Sequence, residues 1–246
     1  MAVSEGPDGT RLSYWRGGLT ETPPEIWDHP DARVLILADN ALTHVPARIA
    51  TLRSLRMLDL GHNQLTSLPE ELTTLPLDGC LYVHDNHLTE LPVTLGRLDR
   101  LTYLNVGENR LRALPDSLGG MSALVELRAQ HNELTALPGS LGALSALREL
   151  WLRGNTLTEL PHSVGRLREL RELELRENAF TEVPGALRGL PLLRRIDLRG
   201  NRLRELPPWI VELPHLEKLD LRWNEVTEGD AAVRSLRARG CVVLGT

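Results

Sequence analysis

The sequence predicts an α/β fold: a curved solenoid with a parallel sheet on its concave face and short helices or irregular turns on its convex face. Asparagines recur every 23 residues along nearly the whole chain. A leucine–x–leucine pair precedes most of them, and a leucine–proline pair usually follows. Repeats of about 20 to 29 residues with this pattern stack so that neighbours bury one continuous core. The asparagines are Asn40, Asn63, Asn86, Asn109, Asn132, Asn155, Asn178, Asn201 and Asn224.

The first half of each repeat predicts a β-strand, because two apolar residues flank one outward residue. Leu58 and Leu60 flank Asp59 in this way, and such alternation with a period of two is typical of a strand with one buried face. Nine asparagine-bearing repeats, one degenerate repeat before them and one closing segment after them predict eleven strands.

The second half of each repeat predicts a helical turn on the opposite side of the solenoid. Leu68, Leu72 and Leu75 are spaced three to four residues apart, and Pro69 follows the first of them. This spacing is helical, and proline is tolerated in a first helical turn because its missing N–H has no partner there.

The recurring asparagine is interpreted as structural. It lies where the chain leaves the strand and turns inward, and buried backbone groups at such a turn must find hydrogen-bond partners. We expect the nine amides to form a ladder of hydrogen bonds along the solenoid.

The two ends of the array are predicted to differ from its middle, because a terminal repeat has no neighbour on one face. A helix is expected from about Asp230 to Arg239, with Asp230 as its N-cap and Gly240 as its stop. Val242 and Leu244 then continue the strand register, so we expect the solenoid to close there. The expected divisions are a loose N-terminus at 1–10 and one domain at 11–246, comprising a cap repeat at 11–31, nine repeats to about 229, and a helix–strand cap at 230–246.

One repeat departs from the pattern. Asp78 stands where a leucine is expected, Leu77 lies one place early and Gly79 follows. We expect a local kink or a shifted convex loop at 76–80, and a functional break at the same place stays open.

Composition limits the function. The net charge is −5 and the pI about 5.9, which gives no electrostatic basis for general nucleic-acid binding. Cys80 and Cys241 are too few and too distant for a disulfide framework. The N-terminus lacks a signal-peptide pattern, and no apolar stretch is long enough to span a membrane. We therefore expect a cytoplasmic protein without a membrane partner.

The sequence contains none of the standard phosphate-loop, dinucleotide, zinc-protease or CxxC motifs. His62, His84, Asp85, His87 and Glu108 form the most metal-like group. A zinc site needs three or four converging ligands, so we interpret these residues as solvated strand ends. No catalytic residue, metal or cofactor is expected, and an enzyme built on this histidine region is the least favoured hypothesis.

The outward strand positions carry aromatic residues that a purely solvated face would not need. Tyr82, Tyr103 and Trp151 fall near the middle of the sheet, and Trp15 and Trp223 near its ends. Aromatic residues and arginine are enriched at protein interfaces. By contrast, Trp27 and Trp209 follow prolines in convex segments and are expected to pack locally.

An arginine column lies beside these aromatics, near Glu174, Asp197 and Asp220. Cross-strand pairing among these charges is one interpretation. The other is that Arg128, Arg153 and Arg176 pair with an acidic surface of a partner. The predicted partner-binding residues are Tyr82, Tyr103, Arg128, Trp151, Arg153, Glu174, Arg176, Arg199, Arg222 and Trp223.

The full unit LxxLxLxxNxLTxLPxxLGxLxxL resembles one subclass of leucine-rich repeat. LDLGHNQLTSLPEEL at 58–72 and LNVGENRLRALPDSLGGM at 104–121 follow it closely. This 23-residue type is that of Ras-binding scaffold proteins, plant intracellular Ras-group-related proteins and many bacterial cytoplasmic proteins. The resemblance covers about 11–244 and implies a horseshoe-shaped leucine-rich repeat solenoid that binds proteins. It implies contact with small GTPases in some relatives, although no GTPase-binding motif carries over.

The resulting prediction is a non-enzymatic protein–protein interaction scaffold that binds a partner protein on its concave face. The alternative is an effector or regulatory accessory protein acting on a small GTPase or another signalling enzyme. Bacterial ubiquitin-ligase effectors resemble shorter repeats followed by a catalytic domain, and this sequence shows neither.

Overall fold

The computed structural model describes residues 4–5 and 10–245. Within them, twelve strands form one sheet whose spatial order equals the sequence order. Strands β2 to β12 run parallel, which confirms the predicted parallel solenoid. The strands are β1 (Ser4–Glu5), β2 (Arg11–Ser13), β3 (Val34–Ile36), β4 (Met57–Asp59), β5 (Cys80–Tyr82), β6 (Tyr103–Asn105), β7 (Glu126–Arg128), β8 (Glu149–Trp151), β9 (Glu172–Glu174), β10 (Arg195–Asp197), β11 (Lys218–Asp220) and β12 (Val242–Leu244).

Strand β1 pairs antiparallel with β2, in the segment that the sequence predicts to be loose. Residues 1–3 and 6–9 of that segment lie outside the described residues.

Leucine columns form the core because the register advances by one whole repeat per strand. Leu58 pairs with Leu81, and Leu81 with Leu104, and all three are at most 1 % exposed. Full burial of such a side chain contributes about 1.5–3 kcal/mol, so each repeat adds a similar increment to the same core.

The convex returns are short 3₁₀ turns, so the expected helices are reduced to single turns. In most repeats the proline precedes the turn instead of lying in its first turn: Pro46 is extended, and its carbonyl accepts the N–H of Ile49 at 3.0 Å. A 3₁₀ turn rises about 2.0 Å per residue against about 1.5 Å for an α-helix, which suits a short return segment. The turns are Pro24–Asp28, Ala47–Thr51, Glu70–Thr74, Leu95–Arg97, Asp116–Gly120, Gly139–Ala143, His162–Arg166, Gly185–Leu187 and Pro208–Glu212.

The last repeat replaces its convex turn with α1 (Ala231–Ala238), as predicted. The Asp230 carboxylate caps it by accepting the N–H groups of Ala232 at 2.8 Å and Val233 at 3.2 Å. Gly240 ends the segment at φ +89°, a left-handed conformation that favours glycine.

The irregularity at 76–80 is a local change of the convex loop. Leu77 is 1 % exposed and takes the place of the missing core leucine. The regular pairing returns at Leu81. Asp78 turns outward and forms ion pairs with Arg56 and Arg100, so its charge is compensated.

The asparagines form the predicted ladder. Each side-chain amide donates to a carbonyl 26 residues earlier, and each side-chain oxygen accepts an N–H 21 residues earlier, as Asn132 does with Val106 and Leu111. The ladder therefore joins consecutive repeats through buried backbone groups that the sheet leaves unpaired.

A feature that the sequence analysis missed accompanies the ladder. Each asparagine follows a residue in the left-handed region. Two of these residues are glycines, Gly154 and Gly200, and the others are Asp39, His62, Asp85, Glu108, His131, Glu177 and Trp223. Arg16 has the same conformation before Gly17, which stands at the asparagine position of the degenerate first repeat. Their side chains form a row along the end of the sheet.

Candidate functional site

The concave sheet brings the predicted aromatic residues together in the middle of the array. Tyr82, Asn105, Arg128, Trp151 and Glu174 lie side by side on β5 to β9. They point away from the leucine core because they alternate with fully buried leucines on each strand. Apart from Asn105, which is buried, these side chains are half-buried.

Three aromatic rings and one guanidinium form a continuous cluster, which we call the aromatic–arginine cluster. The rings of Tyr82 and Tyr103 have centroids 5.0 Å apart. The guanidinium of Arg128 lies 5.9 Å from the Tyr103 ring and 4.9 Å from the Trp151 ring. Such cation–π contacts hold flexible side chains in a preformed arrangement.

Burial raises the pKa of the Tyr82 hydroxyl well above its ordinary value, and contact with Cys80 adds to the shift. Burial also raises the pKa of Tyr103, against the opposing charge of Arg128. Both phenols are therefore neutral at physiological pH and act as amphipathic contact surfaces.

Apolar side chains extend the cluster toward the N-terminal end of the sheet. Val34, Ile36, Met57 and Cys80 are half-buried on β3 to β5. The next strands carry mainly charged residues from Glu126 onward. The concave face thus has an apolar N-terminal half and a charged C-terminal half.

The arginine column is already paired within the protein. Arg153 and Arg176 both donate to Glu177, at 3.1 and 3.0 Å. Arg199 pairs with Asp197 at 3.4 Å, and Arg222 with Asp220 at 2.6 Å. The last two pairs join residues of the same repeat, so the expected cross-strand pattern is wrong for them.

Glu177 is a site residue that the outward columns did not reveal. It occupies the left-handed position before Asn178 at φ 56°, and from there its carboxylate reaches the arginines. Although partial burial raises the pKa of Glu177, the hydrogen bond from Arg153 and the charges of Arg153 and Arg176 hold it below the ordinary value. The carboxylate therefore stays ionised and hydrogen-bonded to the two arginines.

Glu174 differs from the other acidic residues of the concave strands, whose carboxylates accept hydrogen bonds. Its carboxylate makes no hydrogen bond or ion pair with any residue in the described part of the chain. Burial, and then the charge of Asp197, raise its pKa, although Arg176, Arg153 and Arg199 oppose the shift.

An open cavity of about 240 Å³ lies beside this carboxylate on the concave face. We call it the Glu174 pocket. Its polar walls are Trp151, Glu172, Glu174, Arg195, Asp197 and Lys218, with Asp220 also in contact.

The other four tryptophans fall into an exposed pair and a packed pair, as the sequence suggests. Trp15 and Trp223 are 56 % and 71 % exposed at opposite ends of the array. Arg199 lies 5.5 Å from the Trp223 ring. Trp27 and Trp209 pack against the leucine core, which confirms their local role.

The side chains of the histidine group follow the ends of the strands and contact one another. The imidazole of His62 hydrogen-bonds Asp85 and meets the His84 ring edge-on at 4.9 Å. His84 lies over Gly61, where an added Cβ would stand 2.5 Å from the ring. Burial and the neighbouring His62 lower the pKa of His84. In residues 4–5 and 10–245, no three His, Cys, Asp or Glu side chains are arranged to hold a metal ion.

This stack of strand, asparagine turn and 3₁₀ return defines a repeat solenoid with one open concave sheet. Two family profiles match it: one described as a leucine-rich repeat region at 80–174, and one described as leucine-rich repeat at 30–77 and 183–226. The chain belongs to the leucine-rich repeat proteins.

Solved structures show the same fold. A leucine-rich repeat protein of Leptospira interrogans is 25 % identical with a TM-score of 0.65, over 95 % of this chain and 76 % of that one. The ectodomain of the Arabidopsis thaliana receptor kinase GASSHO1/SCHENGEN3, in complex with CASPARIAN STRIP INTEGRITY FACTOR 2, is 31 % identical with a TM-score of 0.78, over 92 % and 29 % of the two chains.

The plant peptide hormone receptor RGFR1, in complex with RGF2, is 28 % identical with a TM-score of 0.73, over 83 % of this chain and 34 % of that one. The chain thus spans about a third of these plant receptors. No curated protein sequence matches it. No described helix has the length and apolar character needed to cross a bilayer.

Proposed function

We propose that this chain is a non-enzymatic interaction scaffold that binds a partner protein on its concave face. The aromatic–arginine cluster carries the proposal. It presents three rings and a guanidinium in one half-exposed surface, although aromatic residues make up only 4 % of the chain. Tyrosine, tryptophan and arginine are the residues that most often dominate binding energy at interfaces.

The plant receptors support the coarser part of the proposal, since their structures contain a bound peptide hormone or protein factor. For this chain we propose the anchors Tyr82, Tyr103 and Trp151, with Trp223 at the far end. The proposed surrounding charges are Arg128, Arg153, Glu174, Arg176, Arg199 and Arg222. We also propose a cytoplasmic location and a role in signalling, because the repeat resembles that of Ras-binding scaffold proteins. Cell fractionation would check the location.

The test begins with a partner isolated by pull-down from the source cell and confirmed as a purified protein. Small GTPases should be included as candidates because of the sequence resemblance to Ras-binding repeats. Calorimetry then compares Trp151→Ala and Tyr103→Ala with the parent. Loss of an anchor costs about 2 kcal/mol or more, which is roughly a 30-fold loss of affinity.

The matched control is Val93→Ala, which removes an apolar side chain that is 73 % exposed on the convex side. This variant should bind like the parent. Full affinity in folded Trp151→Ala and Tyr103→Ala proteins, with weakened binding in Val93→Ala, would move the interface to the convex side and overturn the proposal.

A further inference from the structure

We propose that the Glu174 pocket receives a cationic side chain, an arginine or a lysine, from the partner. This inference rests on the proposed concave-face function and specifies the chemistry of what binds there. It assigns the pocket a positively charged ligand, whereas the sequence columns suggested an acidic partner surface facing the arginines.

The acidic groups of the Glu174 pocket differ in whether they are paired. The Glu174 pocket touches four carboxylates, and three of them already have an arginine partner. These pairs are Glu172 with Arg195 at 3.0 Å, Asp197 with Arg199 at 3.4 Å, and Asp220 with Arg222 at 2.6 Å. Glu174 is the fourth, and the described residues offer it no hydrogen bond or ion pair. An incoming cation would find one free carboxylate at a defined place.

Glu174 is also partly buried. A carboxylate removed from water without a partner is unfavourable, and a hydrogen-bonded cation compensates most of that loss. Nearby Arg153, Arg176 and Arg199 attract the carboxylate, but burial outweighs their effect on its pKa. The site therefore gains more from a cation than an exposed surface carboxylate would.

Trp151 forms one wall of the pocket. Its indole borders the Glu174 pocket, and on the side of β7 the same ring already has the Arg128 guanidinium at 4.9 Å. Strand β9, which carries Glu174, lies on the opposite side of β8. A partner cation in the pocket would thus contact the indole and the carboxylate together, which combines a cation–π contact with an ion pair.

The size of the cavity favours a single side chain. Its volume of about 240 Å³ is below the roughly 300–1,000 Å³ of pockets that enclose drug-sized ligands. The charge of its lining argues against an acidic ligand, because four carboxylates line the pocket against two cations, Arg195 and Lys218. Arg195 is already paired with Glu172, so a partner carboxylate would meet mainly groups of its own charge.

The distance between the tyrosines and Glu174 restricts the partner sequences that can contact both. Tyr103 on β6 and Glu174 on β9 are three strand spacings apart, or about 14 Å at about 4.8 Å per strand. An extended segment rises about 3.3 Å per residue. We therefore infer a partner segment with an apolar residue against Tyr82 and Tyr103 and an arginine or lysine about four residues away.

The experiment uses the whole chain and two synthetic probes. The first peptide is acetyl-leucine-serine-glycine-serine-arginine-amide, and the second replaces arginine with citrulline, which has nearly the same shape and no charge. Titrations follow the Trp151 indole N–H by NMR, assigned with a Trp151→Phe protein. We expect the arginine peptide to bind at least about ten-fold tighter than the citrulline peptide.

Three variants test which residue produces the preference for arginine. Glu174→Gln should reduce the preference for arginine to about two-fold or less. Its matched control is Glu90→Gln, an exposed residue outside the concave face that loses the same charge, and it should keep the preference. Lys218→Met, which removes the cation at the edge of the pocket, should strengthen binding of the arginine peptide.

Several results would overturn the assignment: equal binding of the two peptides, no binding of either up to the solubility limit, or full arginine preference in a folded Glu174→Gln protein. These results leave the proposed scaffold function separately testable. If Trp151→Ala and Tyr103→Ala still weaken binding of the natural partner, the concave face binds but the cationic pocket is wrong. If neither variant weakens that binding, the scaffold proposal itself fails.

Discussion

The side-chain amide of Asn132 donates to the carbonyl of Val106, 26 residues earlier in the chain, at 3.0 Å. The same amide also donates to Ala129 and Gln130, each at 3.2 Å, and its oxygen accepts the N–H of Leu111 at 2.9 Å. One side chain therefore satisfies four backbone groups and joins neighbouring repeats.

Replacing Asn132 with leucine should lower the free energy of unfolding by about 1–3 kcal/mol, the cost of one buried backbone group left without a partner. Leucine leaves the N–H of Leu111 without an acceptor, whereas the carbonyls of Val106, Ala129 and Gln130 keep donors from Asn109, Asn155 and Glu108. Equilibrium urea denaturation followed by circular dichroism measures the change. Glu133→Leu, at the exposed neighbouring position, should shift the stability far less. Two superimposable denaturation curves for Asn132→Leu and the parent would refute the structural role of the ladder.

Trp151→Ala and Leu150→Ala should differ strongly in stability although the residues are adjacent. Leu150 is fully buried, and a leucine-to-alanine change in a core costs about 2–5 kcal/mol. Trp151 points to the concave surface and is half-buried, so its loss should cost less stability than the loss of Leu150. Thermal and urea unfolding give both values. A larger loss for Trp151 than for Leu150 would show that the indole supports the core.

Asp230→Ala should destabilise the C-terminal cap by about 1–2 kcal/mol. The carboxylate caps α1 and also accepts the N–H of Leu206 at 3.0 Å, which ties the helix to the preceding repeat. Hydrogen exchange of the amides at 231–238 should accelerate in this variant. Asp230→Asn keeps an acceptor oxygen for the cap and should retain most of the protection. Equal exchange in Asp230→Ala and the parent would contradict the cap.

Glu174→Gln should raise the stability of the free protein at neutral pH. Because the pKa of Glu174 is raised in the folded state, ionising it opposes folding above that pKa. The penalty disappears as the pH falls and the carboxylate protonates, so the advantage of the variant should shrink between about pH 7 and about pH 4.

Urea unfolding of both proteins across this range measures the difference. Solvent screening should keep it to a few tenths of a kcal/mol up to about 1 kcal/mol. A variant less stable than the parent at neutral pH would mean that Glu174 has a stabilising partner. Together with the peptide titrations, a gain in stability and a loss of arginine preference in the same variant would identify a residue kept for binding.

The sequence by itself determined the period, the parallel register, the inward and outward columns, the asparagine ladder and the capped C-terminal helix. These features depend on the identity and spacing of the repeating leucines, asparagines and prolines. Because the repeats stack in sequence order, the spacing of residues along the chain fixes their positions in the solenoid. The sequence alone therefore places Tyr103 and Trp151 on the concave face.

Only the tertiary structure decided which charges pair. The columns name arginines and carboxylates at similar distances, but long side chains have several rotamers, and the left-handed turn that brings Glu177 to Arg153 and Arg176 leaves no strong sequence signal. Once Glu177, Asp197 and Asp220 are taken, Glu174 is left without a partner beside Trp151. Whether this part of the concave face favours a positive or a negative ligand thus depends on which side chains pair in the folded structure. The order of residues in the sequence does not determine that pairing.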